Sequence, residues 1–240
     1  MEVDIRDVKV MMGIPCKEGT TRLTTNSIAS TMYHAGKIGM DLRLGSSSAS
    51  NNDRARDLVL DGFLASDCEK LFWIDSDIVW EPHDFFKIVA QSTLVDIVLA
   101  SYPAKTDGPA PFFVDFDNPA ETNRHGLLKI KGAGFGFVCM DRKVVQAVAD
   151  MSPEVYDQSI GRKRKKVFRH DIDESHLVDG APCDRTEDFA FFADAMEAGF
   201  DIWLDPFIEL GHVGQKEWRA KFADAVNIEY QPQPPMKRTA

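Results

Sequence analysis

Residues 71–80 read LFWIDSDIVW. Four apolar residues run directly into Asp75 and Asp77, and apolar residues then resume. A short unbroken apolar run of this kind is expected to be a strand buried on both faces. In parallel sheets, ligands sit beyond the carboxyl ends of the strands, so two acids at such an end are site candidates by position alone. On an extended segment they would point to opposite sides. They can serve one ligand only if the strand stops at Ile74 and the backbone turns. Close like charges both stay ionised only when a cation or strong donors offset them. Carboxylate oxygens suit hard ions such as magnesium or manganese. A solvated acidic turn is the plainer alternative.

On the N-terminal side, residues 8–14 (VKVMMGI), closed by Pro15, are expected to be a buried strand, with a helix following the Thr-rich stretch beyond Cys16. Residues 42–44 read as a strand before the polar loop GSSSASNN. Asp53 is a candidate cap for a helix over 54–65, where Ala55, Leu58, Val59, Gly62 and Phe63 recur at helical spacing. On the C-terminal side, Glu81-Pro82 opens a helix with Phe85, Phe86 and Val89 on its apolar face. Residues 96–100 (DIVLA) form a strand, and 101–126 should be loops with one short strand. KGAGFG at 131–136 leads into a strand over 137–140 and then a helix over 142–151. Residues 152–185 are expected to be a long, polar, mobile excursion on the acceptor side. A helix over 187–198 carries Phe189, Phe192, Ala193 and Met196 on one face and ends at Gly199. Short strands follow at 202–204 and 207–210. The tail YQPQPPMKRTA is expected to be disordered. Alternating strands and helices argue for a single α/β domain over 1–228, with a mainly parallel sheet flanked by helices.

Composition narrows the classes. The 240 residues are 44% hydrophobic and 28% charged, as in an ordinary globular protein. No run approaches the roughly 18 apolar residues of a membrane span. The acidic, mixed N-terminus is unlike a signal peptide. A soluble cytoplasmic protein without stable membrane insertion is therefore expected. Cys16, Cys68, Cys139 and Cys183 are far apart, which argues against structural zinc and disulfides and for buried reduced thiols. A formal net charge of −10 disfavours a general nucleic-acid surface. GRKRKKVFRH at 161–170 breaks that trend with six Lys/Arg and a His, either as a solvated loop or as a dock for an anionic acceptor.

Two families place aspartates after a buried strand. Asp75-Ser76-Asp77-Ile78-Val79 satisfies the pattern of haloacid-dehalogenase-like phosphatases, in which Asp75 would be the nucleophile. That motif usually ends the first strand of the core, whereas about seventy residues precede it here. The other likeness is broader. It runs from Asn52-Asp53-Arg54-Ala55-Arg56 through LFWIDSDIVWEP, GAGFGFVCM and Arg185-Thr186-Glu187-Asp188 to AGFDIWLDPFIELGHVG. In order and spacing the chain resembles a GT-A glycosyltransferase of the family 2-like kind, including small viral and phage members, over roughly residues 8–214.

That resemblance implies a metal-dependent transfer of sugar from a nucleoside-diphosphate sugar, UDP expected, to an acceptor hydroxyl with inversion. The cofactor would be Mn2+ or Mg2+, held by Asp77 with Asp75 and completed by His212. Asp75 would contact ribose or a metal-bound water. Ile14, Pro15 and Cys16 would line the donor's base and ribose, Ser76 would join them, and Arg54 or Arg56 would reach the diphosphate. Family members commonly show Arg-Asn in this helix, whereas Arg56 is followed by Asp57. Gly132, Ala133, Gly134 and Phe135 match the acceptor-side turn. Asp188 would be the catalytic base beside Glu187; two acids in a helix's first turn would also offset its dipole. The acceptor would be a glycan, a lipid-linked sugar or DNA carrying hydroxymethylated bases. A non-catalytic nucleotide-sugar binding module is the third possibility.

Overall fold

A computed structural model of the chain describes residues 4–49, 51–107, 111–226 and 228. The chain begins with β1 (Val10–Cys16), α1 (Arg22–Ile38), β2 (Leu42–Ser48), α2 (Asn52–Ala65), β3 (Lys70–Ile74) and the two-residue β4 (Ile78–Val79). It continues with α3 (Pro82–Gln91), β5 (Ile97–Leu99), β6 (Val114–Asp115), β7 (Leu128–Ile130), β8 (Gly132–Ala133), β9 (Phe137–Asp141) and α4 (Arg142–Met151). Two hairpins follow, β10 (Glu154–Asp157) with β11 (Arg162–Lys165) and β12 (Asp171–Val178) with β13 (Ala181–Arg185). The last elements are α5 (Glu187–Glu197), β14 (Ile202–Leu204), β15 (Glu209–Val213), β16 (Glu217–Lys221) and α6 (Phe222–Val226).

β3 lies inside a seven-stranded sheet of order β2-β1-β3-β9-β5-β14-β7. β2, β1, β3, β5 and β14 run one way, while β9 and β7 oppose them. Leu71, Phe72, Trp73 and Ile74 are all buried, because helices cover both faces of the sheet. Their alternation divides the core in two. Leu71 and Trp73 join Val59 and Phe63 of α2, Val144 and Val148 of α4, and Phe191 and Phe192 of α5. Phe72 and Ile74 meet Ala35 of α1 and Phe85, Ile88 and Val89 of α3 on the other face. Glu81 and Asp84 form a capping box at α3, with proline in its first turn. Gly199 takes a φ of 91° just past α5, a left-handed conformation that glycine adopts without a Cβ clash.

Several elements differ from the sequence expectation. β2 runs on to Ser48 instead of stopping at 44, because its parallel ladder with β1 continues to the pair Cys16 and Ser48. It is an edge strand, so its outer side chains can be polar. Asn51, whose side chain accepts the Asp53 N–H at 2.8 Å, caps α2 in place of Asp53. The strand expected over 207–210 lies at 209–213, set by pairing to β4 and β16. The tail at 229–240 lies outside the described residues.

Residues 152–185 are built from the two hairpins, and the basic run enters the scaffold. Val167 and Phe168 are fully buried, and both of their N–H groups donate to Asp57 Oδ1, at 2.9 and 3.0 Å. Arg164 spans Asp57 Oδ2 at 2.5 Å and Asp157 Oδ2 at 2.9 Å. Arg162 pairs with Asp61, Lys163 with Glu154 and Arg169 with Asp194. Asp57, standing after Arg56 where the resembled family has asparagine, thus receives two backbone donors and a guanidinium. Burial nevertheless pushes its carboxyl above the ordinary range.

Asp57→Ala should lower the unfolding free energy by about 3 kcal/mol, since it orphans two buried N–H groups and a buried guanidinium. Asp57→Asn, which keeps an acceptor, should lose less. Urea unfolding measures both; equal losses for the two variants would refute this account of the anchor.

Candidate functional site

β3 stops at Ile74 and the backbone turns at once. The Ile78 N–H donates to the Asp75 carbonyl at 3.2 Å, and the Asp75 N–H to Gly136 O at 3.1 Å. This turn satisfies the geometric condition for two acids to serve one ligand. Asp75, Ser76 and Asp77 line a cavity of about 250 Å³ with Pro15, Cys16, Lys17, Asn52 and Arg56. Pro15 and Cys16 reach it from the end of β1, whereas Ile14 is buried in the core.

Asp75 faces Arg56, whose Nη2 donates to both its oxygens at 3.3 and 3.4 Å. The same guanidinium donates through Nη1 to Asp188 Oδ1 and lies 3.8 Å from Glu187 Oε1. Arg56 is only 5% exposed, and Trp73, Phe135 and Phe168 surround it at 5.9, 5.7 and 5.5 Å from their ring centres. Burial pushes the Asp75 carboxyl up; Arg56 opposes this and the neighbouring Asp77 charge adds to it. Asp188 Oδ2 also accepts the Phe135 N–H at 3.1 Å, so both of its oxygens are held.

Asp77 faces the other way, toward β15. The β4–β15 ladder sets Ile78 opposite His212, and the Val213 N–H donates to the Asp77 carbonyl at 2.8 Å. His212 Nε2 then stands 3.5 Å from Asp77 Oδ2. Its Nδ1 lies 2.9 Å from the carbonyl of Pro103, which accepts only from a protonated nitrogen. In the neutral ring that places the lone pair on Nε2, toward the carboxylate. Two acceptors facing each other at this spacing suit a cation between them, and the Lys105 ammonium already contacts Asp77 Oδ2. Burial alone would raise the Asp77 carboxyl, but the His212 ring in its protonated form, donating from Nε2, and the Lys105 ammonium outweigh it and hold it below the ordinary range. One imidazole nitrogen and one carboxylate give part of a donor set suited to manganese. Among the described residues, however, Asp75, Asp77 and His212 do not bring their ligand atoms within 4.8 Å of one another, because Asp75 is turned toward Arg56.

Other expected site residues lie elsewhere. Arg54 is bound to Asp157 at 3.0 and 3.2 Å and to Ser159, and it lines neither cavity described here. Gly132–Phe135 do not line them either: Ala133 and Phe135 are buried. A Cβ on Gly132 would stand 2.6 Å from the Phe189 ring, and one on Gly134 2.5 Å from the Tyr102 hydroxyl. Those glycines let the chain's own aromatics approach, and Tyr102 in turn meets the His212 ring edge-on at 4.9 Å.

A second cavity, of about 450 Å³, shares Lys17 and Asn52 with the first and is completed by Asn51, Asp53, His170 and Glu187. The metal-capable atoms of Asp53, His170 and Glu187 all lie within 4.8 Å of one another. Sequence reasoning missed Lys17, Asn52, Lys105 and His170. Lys105 is 28 residues from Asp77 and sits in no motif. His170 belongs to a run read only as charge.

No protein-family profile and no curated protein sequence matches the chain. Among solved structures it is similar to A197 from STIV, with 18% identity and a TM-score of 0.53 over 97% of this chain and 100% of that one. It is more distantly similar to the nucleoside-diphosphate-sugar pyrophosphorylase of Vibrio cholerae RC9, with 11% identity, a TM-score of 0.38 and coverage of 82% and 72%. A third likeness is to 4-diphosphocytidyl-2C-methyl-D-erythritol synthase from Anaerococcus prevotii DSM 20548, with 13% identity, a TM-score of 0.35 and coverage of 80% and 99%. The likeness to A197 runs the length of both chains and shows a shared fold. The α/β architecture expected from the sequence stands, with a mixed seven-stranded sheet flanked by helices. No helix among the described residues is long and apolar enough to cross a membrane.

Two of the four thiols are accessible in part, Cys16 and Cys183, while Cys68 and Cys139 are buried. Burial pushes the Cys139 thiol up to about 11. At pH 8 an aromatic disulfide reagent should therefore modify Cys16 and Cys183 in the native protein and the other two only after unfolding. A nucleotide filling the first cavity should slow Cys16 and leave Cys183 unchanged. Peptide mass mapping reads the outcome, and equal protection of both would contradict the placement of Cys16.

Proposed function

We propose that the chain is a metal-dependent glycosyltransferase that moves a sugar from a nucleoside-diphosphate sugar, UDP expected, to an acceptor hydroxyl with inversion. The observation that carries this reading is His212 Nε2 facing Asp77 Oδ2 at 3.5 Å, beside a cavity at the carboxyl end of β3.

In this reading Asp77 and His212 hold a manganese or magnesium ion, and Asp75 binds the donor ribose or a metal-bound water. A bound divalent ion acts as a Lewis acid on the leaving diphosphate. Pro15, Cys16 and Ser76 wall the nucleoside, and Lys17 and Lys105 add positive charge near its phosphates. Asp188 is the base. The acceptor oxygen bonds to the anomeric carbon as its proton passes to Asp188, and the bond to the diphosphate breaks with its electrons on the phosphate oxygen. A guanidinium against Asp188 lowers its proton affinity. Arg56 must therefore shift its contact toward the diphosphate for Asp188 to take the proton. Glu187, with His170 Nε2 3.2 Å from its carboxylate, faces the second cavity and orients the acceptor. Four of the six basic side chains of the run, Arg162, Lys163, Arg164 and Arg169, are matched in place by Asp57, Asp61, Glu154, Asp157 and Asp194. A glycan is therefore favoured over modified DNA as acceptor.

A thermal-shift screen of nucleotide sugars tests the donor. At about a hundredfold excess over Kd, the right compound should raise Tm by roughly 5–10 °C with Mn2+ present. Asp77→Ala should abolish that shift, and a shift of equal size without metal would defeat the metal assignment. Asp188→Asn should keep donor binding while slowing transfer, or donor hydrolysis, by about 10²–10⁴-fold. Full turnover in that variant would remove Asp188 as base. NMR of the product's anomeric proton checks inversion.

A further inference from the structure

We propose that Asp53, His170 and Glu187 form a second divalent-cation site, for a first-row ion of the manganese or zinc class. The three side chains come from three separate parts of the chain: the first turn of α2, the segment between the hairpins and the start of α5. Their ligand atoms lie within 4.8 Å of one another, and His170 Nε2 is 3.2 Å from Glu187 Oε2. Ligands of one such ion sit about 2.0–2.2 Å from it, so small side-chain rotations close the cluster. Two carboxylates and a neutral imidazole balance a dication and suit manganese or zinc better than calcium.

Acids at helix starts can serve only to offset the helix dipole. That explains neither their convergence nor the imidazole delivered between them. Asn51, not Asp53, caps α2, and among the described residues the Asp53 carboxylate has no hydrogen bond or ion pair. The two residues before His170 are both anchored. The Phe168 N–H is fixed on Asp57, and Arg169 is paired with Asp194 at 2.5 and 2.9 Å. The site also opens into the 450 Å³ cavity, which has room for a hydrated ion with a ligand hydroxyl. An acceptor hydroxyl bound to that ion would lose its proton more readily. This use rests on the glycosyl-transfer reading, whereas the binding does not.

The test is a Mn2+ titration of the full chain without nucleotide, with free Mn2+ followed by electron paramagnetic resonance. The wild type should bind two ions, and the Asp77→Ala/His212→Ala variant should keep one. Asp53→Asn and His170→Gln, changes at accessible positions, should each weaken that remaining ion at least about tenfold, with Tm in metal-free buffer unchanged. Loss of all binding in the Asp77→Ala/His212→Ala variant would overturn the proposal. So would Asp53→Asn and His170→Gln titrations that superimpose on their parent. A donor that fails to bind would sink the glycosyltransferase reading and leave this titration untouched.

Discussion

One buried guanidinium organises the molecule. Arg56 meets Asp75 from the end of β3 and Asp188 and Glu187 from the start of α5, and lies among Trp73, Phe135 and Phe168. A charge so enclosed is tolerable only with its counter-charges in place, and removing one partner from such a pair typically costs about 3–5 kcal/mol. The sequence segments that carry the chemistry are therefore tied to one another by charge balance as well as by the sheet. The guanidinium also lines the donor cavity, so whatever enters there competes with carboxylates for the same five N–H donors.

The next residue in α2 does parallel work. Asp57 holds the backbone at Val167 and Phe168, and through Arg164 it holds the first hairpin. Successive residues of one helix thus point to different tasks, one toward the cavity and one toward the segment that carries His170. Arg164 and Arg169 of the basic run serve as fasteners on an acidic body with a net charge of −10.

Much of the architecture was legible where burial is written in local pattern. LFWI announced a strand covered on both faces, Glu81-Pro82 and Gly199 marked helix ends, and 142–151 was helical as its spacing implied. What stayed hidden depends on partners far away in sequence. β2 looks polar because an edge strand is held by its ladder and not by its side chains. The hairpins over 152–185 are fastened by ion pairs that no periodicity reveals. The same division holds in the site. Asp75 and Asp77 could be singled out from their place at a strand end, and both line one cavity; His212, singled out through the resemblance, stands beside Asp77. Lys105 and His170 arrive from irregular segments, so only the folded chain shows what they face. Gly132 and Gly134 signalled close approach, and the atoms nearest to them belong to Phe189 and Tyr102.

The short ladder between β4 and β15 carries a further implication. Ile78 stands opposite His212, and the Val213 N–H closes on Asp77, so main-chain bonds set the register of imidazole against carboxylate. Strand side chains alternate between faces, and a slip of one residue would turn the ring to the far side. Between the helix ending at Glu197 and this imidazole, the chain can therefore gain or lose residues only where a loop absorbs them, never within the paired stretch.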